Sequence, residues 1–325
     1  MYILLLIIFS SFLLCYAYYV WAKKKQIIDR PNERSSHTHT PVRGMGIVFC
    51  VLLFPLYFIF PTNWNLFLGL QVAGIIGYLD DRFTIKSNIR LTLYIFSLIL
   101  AGFQYYTNSE LAPFWLLPVI LVGVGIINTI NFMDGINGIT GYYIIVFIVS
   151  VLLNSYTNWI EFDRLTPLEY GLCVALIFLV SFGFFNYRNQ ALAFLGDSGS
   201  VSLGLLVVLT LINLGINEKG WSVLSLVVVY GVDSVGTIFI RLLRRENIFE
   251  AHRNHLYQDL VHIRGWGHHK VALTYAVLQI IINTLYFNSE ENGSMLFFVC
   301  LIVLIMVYVI VKHYLGQLKF LSRND

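Results

Sequence analysis

Long apolar runs dominate this chain and leave it few folds to choose from. Eleven can be drawn: 2–22, 44–60, 66–79, 89–105, 113–130, 135–153, 168–186, 198–215, 221–242, 270–287 and 294–313. Most approach the roughly 20 residues that an α-helix needs to cross a bilayer. Only 12% of the residues are charged, about half the share in soluble domains. A transmembrane β-barrel would instead show weak ten-residue alternation. The expected fold is therefore all-α: a polytopic membrane helix bundle of about eleven spans, or ten if 66–79 or 135–153 falls short. No repeat or linker interrupts it, so residues 1–325 read as a single integral membrane domain. The four cysteines fall in apolar runs and read as small buried hydrophobes rather than a disulfide framework.

Charge placement orients the bundle. The first apolar run has no basic residues before it and is followed by Lys23, Lys24 and Lys25. That pattern predicts an uncleaved anchor with its N-terminus outside. Threading eleven spans from there puts 19 of the 21 Lys and Arg residues on the cytosolic side with the C-terminus, leaving only Arg164 and Lys219 outside. The positive-inside rule favours this orientation. The outer loops carry Glu110, Glu161, Asp163, Glu169, Glu218, Glu290 and Glu291.

Every polar cluster able to support chemistry then opens on the cytosolic face. "NFMDGINGIT" (131–140) holds Asn131, Asp134 and Asn137. "GYLDDRF" (77–83) holds Asp80 and Asp81, and "AFLGDSGS" (193–200) holds Asp197. "EAHRNHLYQDL" (250–260) holds His252, Arg253 and His255, and a basic loop covers 29–46. Aspartates and an asparagine are hard oxygen ligands that suit Mg²⁺, which favours one or two carboxylates plus substrate phosphate. With such a cation between them, carboxylates can hold a pyrophosphate they would otherwise repel. Arg90, Arg253 and His255 supply cations for the remaining oxygens. Glycines beside Asp134, Asn137 and Asp197 let backbone approach a ligand, and helix N-termini after Asp134 and Asp197 would aim N–H groups at it. The residues thus point to a metal-dependent phosphoryl-transfer site on the ends of membrane helices.

Each piece also has a plainer reading. Asp80 and Asp81 could be helix-end acids beside Arg82, and Asp197 an N-cap before Ser198. Asn131 and Asn137 could bridge helices. His252 and His255 could be loop histidines, and the basic stretch 23–43 could bind lipid headgroups. Asp233 is distinct, because an acid inside an apolar run is functional or paired. Arg241 lies eight residues on, about 12 Å along a helix, and is not an obvious partner. A proton-coupled secondary transporter relaying protons through Asp233 and the histidines is the alternative reading, but transporters favour midplane sites and inverted repeats. A catalytically dead scaffold of the same fold is a third, against which the full acidic set argues.

Four motifs in order, "GYLDDRF…IR" (77–90), "NTINFMDGINGIT" (128–140), "FLGDSGS" (194–200) and "R…EAHRNHLYQ" (245–258), resemble the polyprenyl-phosphate N-acetylhexosamine-1-phosphate transferases, of glycosyltransferase 4 type. His252-Arg253-x-His255-x-Tyr257-Gln258 and "RPNERSSHTHTPVRGMG" look most like the bacterial branch that starts O-antigen or similar surface polysaccharides; the peptidoglycan branch has three consecutive histidines instead. The resemblance implies transfer of a sugar-1-phosphate from a UDP-N-acetylhexosamine to undecaprenyl phosphate, releasing UMP. It implies a bacterial inner-membrane location, Mg²⁺ (or Mn²⁺) as cofactor, no nucleic-acid partner, and a family in which homodimers occur. By motif position, Asp197 and Asn131 match metal ligands. Asp80, Asp81 and Asp134 match the essential acids. Arg90, Asn137, Asn186, Phe194, His252, Arg253 and His255 match substrate-binding positions. One departure stands out. The family's Asn-x-x-Pro-Ala-Lys/Arg-Ile-Phe is replaced by Asn186-Tyr-Arg-Asn-Gln-Ala-Leu-Ala-Phe194, one residue longer and without the proline.

Overall fold

The computed structural model describes residues 2–31, 39–83, 85–107, 112–155, 165–216, 220–248, 252–289 and 292–318. Residues 32–38 of the first basic loop, Glu250 and Ala251 of the histidine motif, and the loop charges Glu110, Glu161, Asp163, Arg164, Glu218, Lys219, Glu290 and Glu291 lie outside these. The described chain is helical almost throughout: α1 (Tyr2–Lys24), α2 (Ile47–Leu52), α3 (Leu56–Ile59), α4 (Trp64–Phe83), α5 (Ser87–Thr107), α6 (Leu116–Met133), α7 (Ile139–Ser155), α8 (Pro167–Asn186), α9 (Gly196–Leu214), α10 (Val228–Leu243), α11 (Leu256–His262), α12 (His268–Phe287) and α13 (Gly293–Tyr314). Each of the eleven apolar runs falls on helix. It is a polytopic membrane helix bundle. Among the described residues eight helical stretches are long and apolar enough to cross a bilayer unaided. The other three runs fall short for visible reasons. The run 44–60 is interrupted at Pro55 between α2 and α3, α7 is short, and α4 carries Gln71, Asp80, Asp81 and Arg82.

Helix α9 is the axis of the bundle and α13 its margin: 78% of the residues in the apolar window of α9 are buried, against 11% for α13. The first turns of α9 are built from small residues, Ser198, Gly199, Ser200, Ser202 and Gly204, all buried. Small side chains let neighbouring backbones close in, which is how packing proceeds in a solvent as apolar as the helices themselves. The approach is tight at Gly77 of α4, where any Cβ would overlap the backbone carbonyl of Asp197, and at Gly46 ahead of α2, where it would overlap the backbone of Gly199.

Backbone breaks inside the bundle are repaired by side chains. Residues Gly220–Val227 form 3-10 helix before α10 begins. At that junction Gln279 of α12 accepts from Val229 N at 3.2 Å and donates to Ser225 O at 2.8 Å, while Tyr143 of α7 donates to Gln279 at 2.5 Å. An unsatisfied backbone group in hydrocarbon costs several kcal/mol, so this junction needs those partners. At the end of the bundle away from the acids, α8 starts with a capping box. Thr166 Oγ1 accepts from Glu169 N, and the Glu169 carboxylate accepts from Thr166 N at 2.7 Å.

Candidate active site

The C-terminal ends of α4, α6, α8 and α10 meet the N-terminal ends of α2, α5, α7, α9 and α12 at one end of the bundle. Asp81 is the keystone. Its side chain is only 2% exposed. Its Oδ1 accepts from Arg43 Nε at 2.8 Å and from the backbone N–H of Asp197 at 3.1 Å, and its Oδ2 from Ser198 N at 3.4 Å. A carboxylate from α4 therefore caps the N-terminus of α9, where unpaired N–H groups and the helix dipole favour negative charge. Gly196, with φ +72°, allows the turn, and a Cβ there would overlap the Asp81 carboxylate. Arg43 was not singled out as a site residue from the sequence. Burial works against its guanidinium, but Asp81, Asp197 and Asp29 more than offset that and hold it charged. The only signal was a basic residue next to Gly44 in a loop already suspected of anion binding.

Asp80 accepts from Ile85 N and from Arg90 Nη1, both at 2.6 Å, and its carboxylate lies in hydrogen-bonding contact with that of Asp197. Arg90 Nη1 stands 3.8 Å from Asp197 Oδ2. Asn131, near the end of α6, donates to Ser200 Oγ at 3.0 Å and also touches the Asp197 carboxylate. Asp197 is the most open of the three acids, its side chain 20% exposed against 7% for Asp80. The two carboxylates of Asp80 and Asp197 repel one another when both are charged unless a cation joins them, while the Asn131 amide stabilises that of Asp197. The donors are all hard oxygens, which fits Mg²⁺ or Mn²⁺ rather than a thiolate- or imidazole-loving metal. Among the described residues no group of three or more His, Cys, Asp or Glu side chains forms a closed metal cage.

Asp134 caps the end of α6, its N–H donating to Asn131 O at 3.2 Å. Burial pushes its carboxyl up to about 7, and the charge of Asp81 adds to the shift. Asn137 and Asn186 are almost fully enclosed, 2% and 6% exposed. Asn137 donates to the carbonyls of Arg188 at 2.8 Å and Asn189 at 3.1 Å. Asn186 accepts from Gly138 N at 2.7 Å and donates to Ala193 O at 2.9 Å. The two amides tie the start of α7 to the 187–194 segment, the stretch that departs from the family pattern. Phe194 belongs to a backbone strap: its N–H donates to Val42 O at 2.7 Å and its carbonyl accepts from Met45 N at 3.1 Å. That strap brings Arg43 into the acid cluster.

His252, Arg253 and His255 form a neighbouring group. The rings of His252 and His255 lie 4.9 Å apart, and His255 faces Phe132 at 6.4 Å. Tyr257 joins this group to the acid cluster by donating to Phe132 O at 3.0 Å. Arg241 does not pair with Asp233. It turns to Glu246 at 3.0 Å and His252 Nδ1 at 2.7 Å, ordering the loop after α10. Asp233 receives one donor from Thr237, a turn further along α10, and the rest from α11 and α12, residues too distant in sequence to be anticipated.

Residues 63–215 match glycosyl transferase family 4, a stretch that takes in the Asp80, Asn131 and Asp197 motifs. The chain is 27% identical over 319 residues to an undecaprenyl-phosphate α-N-acetylglucosaminyl 1-phosphate transferase of Thermotoga maritima, covering 95% of this chain and 98% of that protein. It is 25% identical over 303 residues to a phospho-N-acetylmuramoyl-pentapeptide-transferase of Dictyoglomus thermophilum, with 84% and 93% covered. A protein of the latter name in Listeria welshimeri is 24% identical over 283 residues, with 76% and 83% covered. With the motifs in order and their side chains gathered at one end of the bundle, the chain is similar over residues 63–215 to glycosyl transferase family 4, and along most of its length to two kinds of phospho-sugar transferase.

Proposed function

We propose that the protein transfers N-acetylhexosamine-1-phosphate from a UDP-sugar to undecaprenyl phosphate, as the first membrane step of O-antigen or another surface polysaccharide, with residues 1–325 as one transferase domain. The observation that carries this reading is the convergence of Asp80, Asn131 and Asp197 with Arg43 and Arg90 where helices end. A lipid phosphate at the cytosolic surface of the bacterial inner membrane and a soluble nucleotide can both reach such a place.

An oxygen of the lipid phosphate attacks the sugar-bearing phosphorus of the donor. The new P–O bond forms as the bond from that phosphorus to the bridging oxygen breaks, and UMP leaves with that oxygen. The attacking phosphate has a second pKa of about 6, by analogy with phosphoserine, and is mostly dianionic at neutral pH. Little base catalysis is then required, and positioning plus charge stabilisation carry the rate. Asp197 and Asn131 would hold Mg²⁺, which supplies charge neutralisation for the pyrophosphate when bound. Arg90 and Arg43 face the same oxygens. Asp80 orients Arg90 through their 2.6 Å contact, and Asp81 sets the first turn of α9, from which Asp197 projects. Asp134 borders the cluster, Arg253 offers a cation from the adjoining loop, and His255 a ring nitrogen.

The test is UMP release by the purified protein given undecaprenyl phosphate and a panel of UDP-N-acetylhexosamines. Release with at least one sugar is expected, abolished by EDTA and restored by Mg²⁺. No release with any of them would overturn the reading.

A further inference from the structure

Asp233 lies within α10, is 2% exposed, and has no role in the chemistry described so far. Its carboxylate is nonetheless among the most heavily engaged groups in the molecule. Oδ1 accepts from Leu256 N at 2.7 Å and Oδ2 from Tyr257 N at 3.1 Å, so it caps the start of α11. Tyr275 of α12 donates to Oδ2 at 2.6 Å, and Thr237 approaches Oδ1 at 3.3 Å. His255 Nδ1 stands 3.5 Å from Oδ1. The proton-relay alternative requires an acid open to a pathway, whereas this one is saturated by protein donors.

What Asp233 holds then matters. Leu256 and Tyr257 directly follow His255, and Tyr257 reaches Phe132 O at the end of α6, one residue from Asn131. The Tyr257 hydroxyl also packs against Gly135 so closely that a Cβ there would overlap it. A chain of direct contacts therefore runs from Asp233 through the start of α11 to the segment bearing Asn131 and Asp134. The next turn of α11 is secured from α13, where buried Lys312 donates to Asp259 at 2.6 Å and to the carbonyl of Asn254.

We propose that Asp233 is a positioning residue for the transfer reaction: by capping α11 and facing His255 Nδ1, it fixes where the His255 imidazole stands relative to the end of α6. The proposal rests on the transferase reading above. Asp233 touches no substrate. It acts through His255 and Tyr257, in the way that an outer partner orients a ligating or catalytic histidine.

The experiment is a double-mutant cycle in the UMP-release assay with D233N, H255Q and the double variant. A 1 Å misplacement of a catalytic group can cost about a hundred-fold, so D233N should lower kcat by about that factor with the KM for both substrates within about twofold. In the H255Q background D233N should add less than about threefold, because the residue it positions is already gone. Should the two losses multiply, Asp233 does not act through His255 and the proposal is overturned. If D233N does not assemble, Tyr275→Phe removes one donor and leaves the carboxylate. A few-fold loss of kcat is then expected in the wild-type background and none with H255Q; equal losses in both would overturn it. In ¹⁵N-histidine spectra the His255 ring signals should move in D233N or Tyr275→Phe; unmoved signals would also overturn it. An inactive wild-type protein would fail the transferase reading instead, a separate outcome, and the spectra would still test the contact.

Discussion

Asp81 and Asp233 perform the same backbone task in two regions with different consequences. Each is almost fully buried and each accepts two consecutive N–H groups, Asp81 at the start of α9 and Asp233 at the start of α11. Around Asp81 the neighbours are charged and partly open: Arg43, Arg90, Asp80 and the 20%-exposed Asp197. Around Asp233 they are tyrosines, a threonine and a histidine, all of them protein partners. The first region has excess negative oxygen left over for a cation and a phosphate. In the second the Asp233 carboxylate has its hydrogen bonds satisfied and serves to hold a loop. A buried aspartate alone therefore does not mark chemistry; the unsatisfied charge beside it does.

The sharpest way to break that contrast is Asp197→Asn. It removes the open charge while keeping the shape, and turnover should fall about a thousand-fold with the thermal midpoint little changed. Near-wild-type UMP release would deny the acid region its chemical role. Next in size is Lys312→Met in the second region, which leaves Asp259 buried without its cation. Breaking a buried pair costs about 3 kcal/mol. Burial already raises the Asp259 carboxyl, and Lys312 opposes that rise. Without the lysine the folded protein binds this proton more tightly than the unfolded chain does, so its stability falls as pH rises through that window. The deficit against wild type should be largest at alkaline pH and narrow towards pH 5, as read by thermal unfolding at several pH values. A pH-independent deficit would mean that the pair is not what was lost.

Asp81→Asn should differ from Asp197→Asn by lowering stability and activity together, the first by about 2 kcal/mol because a helix cap and an arginine partner are both weakened. Unfolding and turnover measured on the same preparation decide it, and a stable but inactive variant would transfer Asp81 from cap to reacting group. The smallest effect is expected far from both regions. Thr166→Ala removes the capping box of α8 and should cost about 1 kcal/mol, leaving UMP release unchanged. A loss of activity there would show that the two ends of the bundle are coupled.

Much of the architecture was readable in the chain because its cause is local. A run of apolar residues in lipid must satisfy its own backbone, and a helix is the only short-range solution. The acid motifs were legible for a similar reason: Asp80 with Asp81, and Asp197 with its glycines, are contiguous and out of place at the end of an apolar run. The less apolar spans were harder, since α4 carries its charges inside the helix and the second run breaks at Pro55. Arg43 was hidden in a basic loop, and its place depends on the strap between Val42 and Phe194. The motifs place Asn137 and Asn186 at substrate-binding positions, but which carbonyls they bind depends on how the 187–194 segment closes.

Length, hydropathy and motif order by themselves determined that this protein would be a helical membrane bundle with its acids at helix ends, because each of those properties is set within a few turns of chain. Only the tertiary structure decided that Asp81 caps α9 while Asp197 stays open. It also decided that Asp233 answers to residues 23 and 42 positions away rather than to Arg241. Hydrogen bonds and ion pairs act over about 3–4 Å, so partnership follows the packing of whole helices, which one-dimensional spacing does not encode.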